Sequence, residues 1–91
     1  MITAIVLLNV DRTKINEIGV EISEMHGVTE VFSVSGRFDL VAIIRLREND
    51  ELAELITEKM TRIDGITKTE SMIAYKMLSK LDIAGMFELG S

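Results

Sequence analysis

The sequence predicts one small α+β domain in the order β-α-β-β-α-β, on three observations. Short β-branched apolar runs alternate with segments whose apolar residues recur every three or four positions. Each periodic segment begins after an Asp or Asn and stops at a Gly. Each is followed by a similar opening, Gly27-Val28-Thr29-Glu30 and Gly65-Ile66-Thr67-Lys68. Two βαβ halves joined this way make the ferredoxin-like arrangement, an antiparallel sheet with two helices on one face. The 91 residues suffice for one domain, placed at residues 1–77, with a C-terminal short helix or arm over 78–91.

Ile2–Val10 is an almost unbroken run rich in Ile, Val and Leu. It is too short and too β-branched for a good helix, and reads as a strand buried on both faces. Asp11-Arg12-Thr13 supplies oxygen-bearing side chains that accept the free amides of a first helical turn. Ile15, Ile18, Ile22 and Met25 then form one helix face. His26-Gly27 ends that helix, the His in its last turn suiting the negative end of the dipole. Val28–Ser35 alternates as a strand, and Ser35-Gly36-Arg37 reads as a hairpin turn. Leu40–Arg47 is the next strand. Its Leu40, Ala42, Ile44, Leu46 face is apolar and its Val41, Ile43, Arg45, Arg47 face is mixed. Asn49-Asp50 caps a second helix carrying Leu52, Leu55, Ile56, Met60 and Ile63, which Asp64-Gly65 stops. Ile66–Lys76 is the last strand, with Tyr75 as a core or interface aromatic. The tail carries Leu81, Ile83, Met86, Phe87 and Leu89.

Apolar residues make up 47% of the chain, more than one small core needs. Four strands span roughly 19 Å, and two helices about 10 Å across cover one face of that. Ile5, Leu7, Val41 and Ile43 would then be wet, which predicts dimerisation through the sheets. The competing reading folds the C-terminal arm over the same face.

The net charge of −5, with no Lys/Arg run, argues against binding a polyanion. Without Cys there is no disulfide, thiolate nucleophile or Cys-based metal site. Residues 1–10 lack a basic flank and are too short to span a bilayer, so a cytoplasmic location is expected. The single His, His26, reads as a helix cap rather than a base or ligand. Glu17, Glu21, Glu24, Glu51, Glu54 and Glu58 read as solvated helix faces. No catalytic residue, metal site or cofactor is expected, and the chain reads as a non-enzyme. Gly36-Arg37-Phe38-Asp39 remains: a permissive Gly, a cation, an aromatic and a carboxylate in one turn. Exposed amides beside a Gly can hold a carboxylate, and Asp39 an ammonium. Gly and Asp are also ordinary turn residues.

Residues 1–75 resemble the effector-binding domain of the Lrp/AsnC family of transcriptional regulators, also called the RAM domain (regulation of amino acid metabolism). The stretch from Gly27 through Val28, Val31, Val34, Gly36, Phe38 and Asp39 is similar to the family's G-V-x-x-V-x-x-V-x-G-x-(aromatic)-D pattern. Gly65 to Ser71 is similar to the start of its fourth strand. The resemblance implies an amino-acid effector held by Ser35, Gly36, Arg37 and Asp39 of the turn and by Thr67, Thr69 and Ser71, which alternate along the fourth strand. It implies sheet-to-sheet dimers that can build an octamer, with the site at a contact between dimers. The full-length regulators begin with a helix-turn-helix domain. This chain begins at the first strand, so it resembles stand-alone members, without direct DNA binding and with a full-length regulator as a partner. Two other readings share the element order: a dimeric α+β barrel enzyme, and an assembly module without a ligand.

Overall fold

The computed structural model describes residues 1–79. Four strands and two helices follow one another as expected: β1 Ile2–Val10, α1 Ile15–Ser23, β2 Val28–Ser33, β3 Leu40–Leu46, α2 Asn49–Glu54 and β4 Ile66–Ile73. A 3-10 turn at Arg12–Lys14 leads into α1. A wider π-helical turn at Leu55–Lys59 and a 3-10 turn at Met60–Arg62 extend α2. The sheet order is β2-β3-β1-β4, and every pairing is antiparallel. This is the ferredoxin-like α+β fold.

Strand alternation decides what is inside. Ala4, Val6, Leu8 and Val10 of β1, and Leu40, Ala42, Ile44 and Leu46 of β3, are buried. They meet Ile18 and Ile22 of α1 and Leu52, Leu55, Met60 and Ile63 of the second helical segment. Fully burying one such side chain stabilises by about 1.5–3 kcal/mol, so this layer dominates the fold. In the single chain the opposite face is the wet one expected from two-helix cover, and β1 is not buried on both faces. Ile5 and Leu7 are only half-buried, because no helix of the described residues lies on that side; residues 74–78 share a cavity with Ile5 and Ile43 there.

The register lays two rows across the open face. One runs Phe32, Val41, Leu7, Glu70; the other runs Glu30, Ile43, Ile5, Met72. All but the two Glu are apolar, and Phe32 and Met72 are 48% and 46% exposed.

Several boundaries move. β2 stops at Ser33, and Val34 donates its amide to the Asp39 carbonyl across a loop wider than a tight hairpin. β4 stops at Ile73, where Ala74 donates to the Thr3 carbonyl. Tyr75, two residues on, is fully exposed and so is not a core aromatic of the single chain. α1 ends at Ser23, so His26 stands beyond it. Asn49 and Asp50 lie inside the first turn of α2; Glu48 precedes it in extended conformation without a side-chain capping bond. Asp50 and Glu51 still face the positive end of that dipole. Gly27 and Gly65 both take the left-handed conformation expected of them, with φ +94° and +104°. The expected arm lies outside the described residues from residue 80 onward.

Asp11 caps as expected. Its Oδ1 accepts the Thr13 hydroxyl at 2.8 Å and the Thr13 amide at 3.0 Å. Those two bonds, the hydroxyl first, hold its carboxyl below the ordinary value of 3.8. A carboxylate depressed in this way stabilises the fold above its unfolded pKa, and the contribution is lost as pH falls through the folded value. Asp11→Asn therefore melts below wild type at pH 7. The gap closes as pH drops below 3.8, which melting curves of both proteins across pH 7 to about 2.5 will read.

Candidate functional site

One end of the sheet collects the close of β1, the β2–β3 loop and the opening of β4. Asn9 is the hub. Its Nδ2 donates to the Arg37 carbonyl at 2.8 Å and reaches Asp39 Oδ2 at 3.5 Å. Its own carbonyl accepts the Thr67 hydroxyl at 3.2 Å. The next residue, Val10, donates its amide to Asp39 Oδ2 at 2.9 Å, and the Asp39 amide returns a bond to the Leu8 carbonyl at 2.9 Å. Asp11 N–H donates to the Gly65 carbonyl at 2.7 Å, tying the start of β4 to the same corner. Two segments far apart in sequence, the β2–β3 loop and the start of β4, thus converge on Leu8 to Asp11.

Around this hub the loop apex is open. Ser35, Gly36 and Arg37 are exposed, and Phe38 and Asp39 are half-buried. Gly36 has φ +110°, and a Cβ there would meet nothing within 4 Å. Its requirement is therefore conformational: an L side chain is strained at that φ although space is free. No acceptor among the described residues bonds the amides of Ser35, Gly36 or Arg37. Such amides suit a carboxylate.

The expected site residues divide into two groups. Ser35, Gly36, Arg37, Asp39 and Thr67 share the Asn9 corner. Thr69 and Ser71 do not share it. Thr69 pairs with Leu8 and Ser71 with Val6, so both point to the helix side of the edge strand β4. The alternation of Thr67, Thr69 and Ser71 is also interrupted. Ile66 pairs with Val10 while Lys68 pairs with the adjacent Asn9, which leaves Thr67 as the extra residue of a bulge. That bulge turns the Thr67 hydroxyl onto the Asn9 carbonyl. Lys68, on the open side opposite Asn9, holds its ammonium 5.8 Å from the centre of the Phe38 ring.

Asn9 and Lys68 were not singled out by sequence. Asn9 left a trace, as the last polar interruption of the run 2–10. Lys68 left none, because its place depends on a bulge. Among the described residues no group of three His, Cys, Asp or Glu could hold a metal ion, and no helix is long and apolar enough to cross a membrane.

The family model of the Lrp/AsnC ligand binding domain matches residues 3–82. The chain belongs to this family. An uncharacterised HTH-type transcriptional regulator of Pyrococcus abyssi is 31% identical over 72 residues, which cover 79% of this chain and 46% of that protein. The chain spans about half the length, or less, of the curated relatives it matches. Among solved structures, TTHA0845 of Thermus thermophilus superposes with a TM-score of 0.82 at 35% identity, covering 88% of this chain and 100% of that one. The transcriptional regulator NMB0573 of Neisseria meningitidis, solved as a complex with L-Met, shares the fold. Its TM-score is 0.72 at 11% identity, over 86% of this chain and 52% of that one. In this Lrp/AsnC domain, then, the turn and the fourth strand are joined at Asn9.

The Asp39 contacts change what a substitution there reports. Asp39→Ala removes the acceptor of the Val10 amide, so it cannot leave the fold untouched. It should destabilise by about 1–3 kcal/mol, while Asp39→Asn keeps an acceptor and loses less. Urea denaturation compares the two; an Ala variant as stable as wild type would remove the carboxylate's structural role.

Proposed function

We propose that this chain is an effector-binding module that serves transcription regulation by taking an amino acid at the Asn9 corner. The observation that carries the reading is the convergence of the exposed Ser35–Arg37 apex, Asp39 and Thr67 on Asn9 in an Lrp/AsnC domain. The free apex amides suit an α-carboxylate, and Asp39 suits an ammonium through the oxygen that Val10 does not use; the Thr67 hydroxyl, its proton given to the Asn9 carbonyl, keeps a lone pair for the same ammonium. L-Met in the Neisseria regulator of the same fold is consistent with a ligand of this chemical class. Thr69 and Ser71 stay in the proposal as residues that a second wall of the site would approach along β4.

A site with one open side gains its other wall from another copy. The two rows on the open sheet face supply an apolar surface for dimerisation, and contacts between dimers, as in an octamer, would complete the pocket. A ligand that bridges copies stabilises the assembly by its differential affinity for it. Oligomer state is then the output, passed to a full-length regulator rather than to DNA by this module. The module acts in the cytoplasm, binds no cofactor and catalyses no reaction.

A melting screen against the twenty amino acids tests the ligand. At a hundred times its dissociation constant an effector stabilises by about 2.7 kcal/mol, a rise of several degrees for a domain of this size. A flat screen would favour a ligand-free assembly module. Ile43→Arg tests the face: it puts a charge on the open side and leaves the helix-side core alone. Sedimentation should then show smaller species than wild type at equal concentration, and an unchanged distribution would place the contact elsewhere.

A further inference from the structure

We infer that the effector of this corner is an acidic amino acid, a ligand with a second carboxylate beyond the one the apex amides take. The inference rests on the proposed effector site and adds its selectivity.

Charge is distributed unevenly. The chain carries −5 overall, yet the sheet end that holds the turn gathers Arg12, Lys14, Arg37, Arg62 and Lys68 against Asp11, Glu17, Asp39 and Asp64. Glu17 lies beside Lys14 in the first turn of α1, and the three Asp are engaged. Asp11 accepts from Thr13, Asp39 from Val10, and Asp64 pairs with Lys14 at 3.1 Å. Among the described residues, neither Arg37 nor Lys68 lies within ion-pair distance of a carboxylate.

Both cations stem from backbone positions beside Asn9. Asn9 holds the Arg37 backbone through its amide and faces Lys68 across the β1–β4 pairing. Phe38, the residue after Arg37, lies under the Lys68 ammonium. The acids near this face are Asp39, turned to Val10, and Glu70, two residues along β4 opposite Leu7. A neutral amino acid would satisfy the apex and leave Arg37 and Lys68 without an anion. A side-chain carboxylate meets both, Arg37 as a planar fork and Lys68 as a point charge. An amide side chain of the same shape offers no charge, so the pair distinguishes Glu from Gln and Asp from Asn.

The test is calorimetric titration at one ionic strength of the full wild-type chain with each of the twenty amino acids, and of Arg37→Gln/Lys68→Gln with Glu, Asp, Gln and Asn. Both positions are exposed, and a matching melting curve for each single variant checks that the fold is kept. The expected result is at least tenfold tighter binding of Glu or Asp than of the matching amide, reduced to near parity in the double variant. Amides or apolar amino acids binding as well as the acids would overturn the inference while leaving the effector site in place. An acid preference undiminished in the double variant would also overturn it, by placing selectivity elsewhere. Binding by none of the twenty amino acids would overturn both this inference and the proposed function.

Discussion

Two helices can cover one face of a four-stranded sheet and no more, and the rest of the molecule follows from that geometry. β1 and β3 occupy the middle of the order β2-β3-β1-β4, where helix cover is best, and their even-numbered residues form the core. Their odd-numbered residues, still mostly Ile, Leu and Val, face the other way and stay half-exposed. A chain evolved only to fold could have made that face polar at little cost, as many antiparallel sheets do. Keeping Phe32, Val41, Leu7, Ile43, Ile5 and Met72 in two adjoining rows is a cost in solubility that the proposed partner surface would offset.

The same one-sidedness explains where polar side chains gather. With the core on one face and an apolar surface on the other, polar groups can converge only at the ends of the sheet. At one end Asn9 and Asp39 satisfy the backbone where three segments part company. Those bonds fix the loop base and leave its apex amides free. Rigidity at Leu8 to Val10 and openness at Ser35 to Arg37 are therefore two consequences of one junction. A ligand that meets a pre-fixed loop spends less of its binding energy on ordering it.

The element order, the limits of β1 and both helix core faces were legible in the sequence, because period-two and period-3.6 patterns report burial directly. The left-handed Gly27 and Gly65 and the Asp11 cap were legible for a similar reason: each is a local backbone requirement with few residue solutions. What was hidden depends on non-local registration. The bulge that displaces Thr67 needs β1 as a template, and an alternating Thr67, Thr69, Ser71 pattern gives no hint that the extra residue falls at its start. Tyr75 is exposed because β4 leaves β1 at Ile73, before the strand residues opposite are used up, and no period in the sequence marks that departure. The role of Asp39 was half legible. A carboxylate after Gly-Arg-Phe announces a turn or a ligand, and the structure shows that one of its oxygens already serves the turn.

Electrostatics then connects the two surfaces. Copies of a chain at −5 repel weakly at long range, and that repulsion is screened beyond about 8 Å in physiological salt. Close contacts are decided by local charge instead. If sheet ends of neighbouring dimers meet, as the proposed site between dimers would have them do, Arg37 and Lys68 of one copy approach the same pair of the other. Like cations drawn together in a partly desolvated contact cost more than they would in water. An acidic amino acid brings two carboxylates and one ammonium, so each bound molecule removes one net positive charge from that contact. A neutral zwitterion removes none. Charge selectivity and control of assembly would thus arise from the same two side chains, since only a net anionic effector both binds Arg37 and Lys68 and relieves the repulsion between copies.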